Sequence, residues 1–291
     1  MTRIVKTALN TLVRSYLRHC PVTEGKQRLL ALTRNYIMPD EPAVSFRTKH
    51  GFSLQANLRN PEHQRMYFYG EHDERYEINN IVKILQAGDC CWDIGANIGF
   101  YTCLFATLVG DQGRVIAFEP VSATSGFLGN NIGLNGFRHV TLKKLALGDA
   151  PGRQQIFLDL PDKAEGTVSL KTAAGAHSET IDVETIDNLA ASLPVPDFIK
   201  IDVEGYQMKV FAGGEKFFSR HSPMIMAELR DRDRTLMNDA QVFLRAHGYL
   251  IYEFRKHALK RCENILDSRG RNFFMVKENS PYFSRVRPQV E

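Results

Sequence analysis

Asp93-Ile94-Gly95-Ala96-Asn97-Ile98-Gly99 follows the strand-like run Cys90-Cys91-Trp92 and leads into Phe100-Tyr101. The order reads as a strand ending in an acid, a tight glycine turn, and the start of a helix. Glycine lets backbone N–H groups approach a ligand where a Cβ would collide. The next apolar run, Val115-Ile116-Ala117-Phe118, ends at Glu119. An acid at that remove can accept both hydroxyls of an adenosine ribose, so an adenosine cofactor is expected. A dinucleotide site would carry G-x-G-x-x-G over its pyrophosphate. Here the spacing is Gly95-x-x-x-Gly99, and Asp93 is expected to turn a carboxylate into the loop. That charge would repel pyrophosphate and suits the ammonium and sulfonium of S-adenosylmethionine (SAM).

The pattern around this turn is strand-helix alternation. Helical periodicity runs over 71–85 and closes at Gly88. Strands are expected at 89–94, 115–119, 140–147, 197–202 and 223–228, with helices at 100–109, 122–134, 206–218 and 233–247 between them. Two strand-like runs without an intervening helix, 249–254 and 272–276, close the pattern. The fold class is therefore α/β: a mostly parallel sheet with helices on both faces and one antiparallel strand. Between the third and fourth strands lie three short β-like stretches, 153–159, 167–172 and 178–184. They form an insertion over about 150–184, readable as a small sheet beside the cofactor cleft or as a flap. Residues 1–65 read as a basic helical extension, 66–278 as the catalytic domain and 279–291 as a tail.

Composition narrows the class. The 291 residues are 43% hydrophobic and 24% charged, enough for one full α/β core. No apolar run approaches the length of a membrane span. The five cysteines (Cys20, Cys90, Cys91, Cys103, Cys262) have no metal-ligand spacing and read as core residues in a reducing compartment. A net charge of +4 does not argue for nucleic acid, and none is expected as a partner. Positive charge is concentrated at the two ends: Arg3, Lys6, Arg14, Arg18, Lys26, Arg28 and Arg34 share the first segment with Glu24 as its sole acid. Ile4, Val5, Ala8, Leu9, Leu12, Val13, Tyr16 and Leu17 recur there at helical spacing. Such a helix more often packs on its own domain, and a membrane surface is the alternative. The expected location is cytoplasmic, with this helix as the candidate peripheral contact.

In open parallel sheets ligands sit outside the carboxyl ends of the strands. Four strands place acids there: Asp93, Glu119, Asp202 with Glu204 close behind, and Glu228. Asp93 and Glu119 are expected to face the cofactor, and Asp202, Glu204 and Glu228 the second substrate. Two acids at one strand end would also suit a divalent ion such as Mg²⁺, but two acids do not make a site and no metal is predicted. His177, His221 and His247 fall on loops or helix ends and read as solvated or capping residues. No Asn/Asp-Pro-Pro-aromatic turn follows the fourth strand, which argues against base amines as acceptors; Asn279-Ser-Pro-Tyr282 falls after the last strand.

The runs Asp93–Thr102, Ala117-Phe-Glu-Pro120, Asn131 to Asn135, Ala146-Leu-Gly-Asp149, Val183–Asp187 and Ile199-Lys-Ile-Asp-Val-Glu-Gly205 resemble the successive motifs of FkbM-type SAM-dependent methyltransferases. The resemblance spans roughly 71–276. It implies a Rossmann-like class I methyltransferase fold with a seven-stranded sheet, and O-methyl transfer to hydroxyls of sugars, glycolipids or other small molecules. By motif, Asp93, Gly95, Asn97 and Gly99 would surround the methionine part of SAM, Glu119 would hold the ribose, and Ala146 and Leu147 would lie near the adenine. Glu77 matches a recurring family position. The wide stretch 149–183 departs from the pattern. On the residues alone, Asp202 and Glu204 are the candidate bases for an acceptor hydroxyl, with Glu228 in reserve. The rival readings are an NAD(P)-dependent oxidoreductase and a SAM-binding module without catalysis.

Overall fold

In a computed structural model the described residues are 2–20, 22, 24–158, 168–169, 177–229 and 234–291. The chain opens with α1 (Arg3–His19) and α2 (Lys26–Ile37), followed by a hairpin of β1 (Ala43–Arg47) and β2 (Ser53–Asn57). Helix α1 buries Val13 and Leu17 against the main core. Its cations are largely engaged by protein groups. Arg18 donates to the carbonyls of Arg47, Tyr67 and Phe68. Arg14 lies over the Tyr67 ring, and Lys6 and Arg3 pair with Asp40 and Glu41, while Lys26, the first residue of α2, donates to the carbonyls of Leu17 and Cys20. The extension is thus docked through its basic side, while Ile4, Leu12, Leu32 and Tyr36 remain exposed.

Helix α3 (Pro61–Tyr69) was not expected, although its start is written in the sequence: Asn60 caps the backbone of Glu62 and His63, and Pro61 takes the first helical position. The helix expected from residue 71 begins later, as α4 (Arg75–Ile84). Then come β3 (Cys90–Ile94), α5 (Phe100–Val109), β4 (Arg114–Phe118), α6 (Ser122–Leu134) and β5 (Val140–Lys143). The strand expected over 140–147 divides at Lys144: β6 (Ala146–Leu147) leaves the main sheet and pairs with β9. A second sheet, in the order β6-β9-β7-β8, is made with β7 (Gly152–Leu158), β8 (Val168–Ser169) and β9 (His177–Glu184). The insertion therefore forms a sheet; the remainder of its expected central stretch, residue 167 and residues 170–172, lies outside the described residues.

After α7 (Ile186–Leu189) the main sheet resumes with β10 (Phe198–Ile201), α8 (Gln207–Ala212), α9 (Glu215–Arg220), β11 (Met224–Glu228) and α10 (Arg234–Ala246). The single helix expected over 206–218 breaks at Gly213-Gly214, because Gly213 packs where a Cβ would stand 1.9 Å from the Gly148 carbonyl oxygen. The start expected for the α10 helix, residue 233, lies outside the described residues. The chain ends with β12 (Tyr249–Phe254), β13 (Leu259–Arg261), β14 (Asn272–Lys277) and α11 (Phe283–Val286).

The main sheet runs β13-β12-β14-β11-β10-β3-β4-β5. Strands β5, β4, β3, β10 and β11 are parallel, and β14 lies antiparallel between β11 and β12. With β12 these make the seven strands that the resemblance implies, and the short β13 adds an eighth at the edge. Two apolar clusters cover its faces, one around Phe105, Phe198 and Phe274, the other around Trp92, Phe217 and Phe218. The chain winds outward from β3 to β5 and then returns to β10 beside β3. Their carboxyl ends thus open a crevice at the point where the winding reverses, the usual ligand position in such sheets.

Candidate active site

The crevice is a cavity of about 810 Å³, within the range of about 300–1,000 Å³ usual for small-molecule sites. Its floor is the turn after β3. Gly95 and Ala96 both donate to the Phe118 carbonyl, and Asp202 donates its N–H to the Ile94 carbonyl, so the turn is fastened to both neighbouring strands. Gly95 has φ +80° and sits so close to β10 that a Cβ would lie 1.9 Å from the Asp202 carbonyl oxygen. Asn97 adopts φ 51°, an uncommon conformation for a side-chain-bearing residue, and its Oδ1 accepts from the Ile98 N–H. This presents the Asn97 N–H to Glu119 Oε2 at 2.9 Å.

Glu119 is buried, with Oε1 accepting from the Val121 N–H at 3.0 Å. Burial pushes its carboxyl up to about 7 despite hydrogen bonds from Val121, Asn97 and Thr124. A carboxylate has about four acceptor positions, so Oε2 can still take a ligand hydroxyl. Beyond it, Leu145, Ala146, Leu147, Ile156, Ile181 and Val183 form an apolar wall to which the second sheet contributes. An acid able to accept hydroxyls, an apolar slot for a planar base and a glycine floor are a donor set that fits an adenosine-type cofactor.

Among the expected cofactor residues, Gly95, Asn97, Glu119, Ala146, Leu147 and Glu77 line the cavity, and Asp93 and Gly99 do not. Asp93 was expected to face the loop, but its side chain points under it. Strand alternation sends Asp93 to the face that carries Cys91 and the α5 packing. There Oδ2 accepts from the Thr102 hydroxyl at 2.6 Å, Oδ1 stands 3.9 Å from Lys200 Nζ, and burial pushes the carboxyl up from its ordinary range. Gly99, at φ +90°, lets α5 begin against Leu128.

Asp202, Glu204 and Glu228 all reach the cavity, in different states. Burial disfavours charge on Asp202, but Lys200, 3.0 Å from Oδ2, and a hydrogen bond from Glu228 outweigh it and hold the carboxyl below its ordinary range. Glu228 is pushed up to about 7 by burial and by the charge of Asp202, even though Arg271 donates to its Oε1 from Nε and Nη2 at 2.9 and 2.6 Å. The two carboxyls behave as one pair in which Glu228 carries the proton toward Asp202. Glu204 is exposed, with φ 44° and a carboxyl raised by burial of its head and by Asp202.

The opposite wall was not expected. Glu62, at the start of α3, accepts from or pairs with His72 Nε2 at 2.8 Å, and His72 Nδ1 stands 3.4 Å from Glu74. Burial opposes charge on His72, yet these two acids raise its basicity above the ordinary value. Glu74 in turn accepts from the Tyr101 hydroxyl and from Asn272 Nδ2, which also reaches Glu77 at 3.2 Å. Burial raises the carboxyl of Glu77. His221 and His247 stand outside the cavity lining, and the side chain of His177 is not described. Among the described residues no group of three or more His, Cys, Asp or Glu has an arrangement able to hold a metal ion. Nor, among them, is any helix long and apolar enough to cross a membrane.

Comparison with known proteins gives three findings. The family described as the methyltransferase FkbM domain matches residues 93–251. Two curated relatives are the hexuronic acid methyltransferase AglP of Haloferax volcanii, 28% identical over 48% of this chain and 56% of that protein, and the 31-O-demethyl-FK506 methyltransferase FkbM of Streptomyces tacrolimicus, 29% identical over 57% of this chain and 75% of that one. The chain thus spans little more than half of the first. Among solved structures, an FkbM methyltransferase from Methylobacillus flagellatus is 16% identical, covering 94% of this chain and 60% of that one, with a TM-score of 0.48.

Proposed function

This chain belongs to the FkbM methyltransferase domain family, and from that premise we propose that it transfers a methyl group from SAM to a hydroxyl of a sugar, glycolipid or other small molecule. The names of the two relatives, one for a hexuronic acid and one for an O-demethylated small molecule, are in keeping with that choice. The observation that carries the reading is the pairing within one cavity of a ribose-type acid, Glu119, with a charged acid at the switch point, Asp202. When bound, SAM supplies an electrophilic methyl on a sulfonium.

The residues of the chain would then do three things. Glu119 accepts hydroxyl hydrogen bonds at one end, while the wall of Leu145, Ala146 and Leu147 excludes water from the base. The turn 95–97, held by both strands, fixes the distance between that end and Asp202. Alignment of this kind supplies about 7–11 kcal/mol of a barrier. Asp202 takes the proton of the acceptor hydroxyl as attack proceeds. It is preferred to Glu228, whose carboxyl is pushed up to about 7 and so holds a proton for part of the time near neutrality, and to Glu204, which stands on the exposed rim. The basic N-terminal helix is proposed as an element of the domain rather than a membrane anchor, since Arg3, Lys6, Arg14 and Arg18 are engaged within the protein.

The test is calorimetry with S-adenosylhomocysteine alongside transfer of labelled methyl from SAM to a panel of glycosides. Asp202→Asn should retain ligand affinity and lose turnover, whereas Glu204→Gln should keep a measurable fraction of it. Full turnover in Asp202→Asn would remove the base assignment. Binding of NADH and not of S-adenosylhomocysteine would remove the cofactor.

A further inference from the structure

Lys200 is the third of the four residues of β10 and is 3% exposed. A buried ammonium is costly unless opposite charge and hydrogen bonds meet it. Here β10 and β3 run parallel with Lys200 in register with Asp93, so both side chains project to the same face. The Lys200 stem carries Nζ past the Tyr101 ring, 5.0 Å from its centroid, to 3.0 Å from Asp202 Oδ2. On its other side Asp93 Oδ1, fully buried, has no hydrogen-bond partner and stands 3.9 Å from the same ammonium. One cation therefore serves two acids that face different tasks: Asp93 lies beneath the cofactor turn, and Asp202 lines the cavity.

We propose that Lys200 is a positioning residue which locks the cofactor turn to the acceptor-side acid, orienting the Asp202 carboxylate and stabilising its charge from behind the cavity wall. The inference depends on the methyl-transfer reading only for the task given to Asp202. The charge of Asp202 is set by groups on several elements. Lys200 and Asp93 lie beneath it, Glu228 backed by Arg271 lies beside it, and Glu204 follows it in the chain. Glu62 and His72 face it across the cavity. Lys200 is the cation in contact with it; His72 is shared with Glu62 and Glu74, and Arg271 is engaged by Glu228.

The experiment is a carbon-13 carboxyl NMR titration of the full chain labelled at aspartate, with the Asp202 signal assigned from Asp202→Asn. Calorimetry with S-adenosylhomocysteine runs alongside. In Lys200→Met the Asp202 midpoint should rise by about one to three pH units, the size expected for loss of an adjacent opposite charge. In Lys200→Arg, which keeps the charge, it should stay at the wild-type position. An unmoved midpoint in Lys200→Met, or an equal rise in Lys200→Arg, would overturn the proposal. If Lys200→Met does not fold, Asp93→Asn decides. It frees the ammonium for Asp202 alone, so the midpoint should fall below wild type, and an unmoved one overturns the proposal. Failure of the wild type to bind S-adenosylhomocysteine would count against the methyl-transfer reading and leave the titration result standing.

Discussion

Replacing Gly95 by alanine tests whether the turn is pinned to the end of β10. The new Cβ would lie 1.9 Å from the Asp202 carbonyl oxygen, whereas carbon–oxygen contact begins near ~3.3 Å. Backbone must part by more than about 1 Å to admit it. That separation disrupts the hydrogen bond from the Asp202 N–H to the Ile94 carbonyl, worth about 0.5–1.5 kcal/mol. Holding alanine at φ +80° adds about 1–2 kcal/mol. The sum, about 1.5–3.5 kcal/mol, corresponds to a fall of roughly 3–14 °C in Tm at the ~2–4 °C per kcal/mol of chains somewhat smaller than this one. Gly88 supplies the control. It has φ +92° with open space where its Cβ would be, so Gly88→Ala carries the conformational term without the collision. Scanning calorimetry should rank Gly95→Ala well below Gly88→Ala, and affinity for S-adenosylhomocysteine should fall at least tenfold in the first and hold in the second. Equal Tm values and equal affinities in the two variants would refute the pinning.

Three further outcomes follow from the same geometry. Glu119, pushed up to about 7 by burial, holds a proton in the folded chain that the unfolded chain releases from about pH 4.5. Its stabilising contribution is therefore complete below 4.5 and is lost as pH rises through 7. Affinity for S-adenosylhomocysteine should instead rise between pH 6 and 8 as the carboxylate becomes available, and Glu119→Gln should flatten that rise and weaken binding. Asn131 accepts from the Gln55 N–H and donates to the carbonyls of Gln55 and Ile98. Asn131→Ala strands those backbone groups, and chemical denaturation should show a loss of about 2–4 kcal/mol. Leu17 is fully buried and Leu12 is 67% exposed; Leu17→Ala should cost about 2–5 kcal/mol and Leu12→Ser less than about 0.5 kcal/mol, measured in the same assay.

Local signals carried most of the fold. The helices 100–109 and 122–134 stand where periodicity put them, and the strands expected at 89–94, 115–119, 197–202 and 223–228 begin and end within a residue, whereas the one expected over 140–147 stops at Lys143. Errors came where geometry across elements decides. Asp93 is a strand residue whose direction depends on which face α5 covers and on Lys200 standing opposite, and neither is a local property of the glycine turn. The break at Gly213 depends on the Gly148 carbonyl, far away in the chain. Asn131 and Asn135 were readable as a motif but not as what they are, side chains that hydrogen-bond the outer edge of β2 at Gln55 and Ser53. The acids of the cofactor wall and the switch point were legible because strand ends are ligand positions in any such sheet. The Glu62–His72–Glu74 wall was not: it lies on a loop and a short helix, and Glu74 meets Asn272 across 198 residues.

That unexpected wall bears on how far the relatives speak for this chain. The family match begins at Asp93, whereas Glu62, Arg65, His72, Glu74 and Glu77 line the cavity from the segment before it. The matched region contains the glycine turn, Glu119 and Asp202, the residues to which the proposed function gives the methyl donor and the acceptor proton. The earlier segment adds four acids, Glu62, Asp73, Glu74 and Glu77, with Arg65 and the His72 imidazole, on the side where the proposed second substrate would enter, and Asn131 and Asn135 tie its hairpin to the domain. Charge adds a direction. Asp202, Glu204 and Glu228 already face that space, and the cations there are committed: Lys200 to Asp93 and Asp202, Arg271 to Glu228, Arg65 to Asp73. A carboxylate or phosphate brought beside Asp202 would meet like charge at short range with little screening, while hydroxyls would find acceptors on several sides. On the methyl-transfer reading, a neutral polyhydroxylated acceptor is therefore expected to be methylated faster than its uronic acid counterpart in the labelled-methyl assay, and equal rates on the two would refute the charge argument.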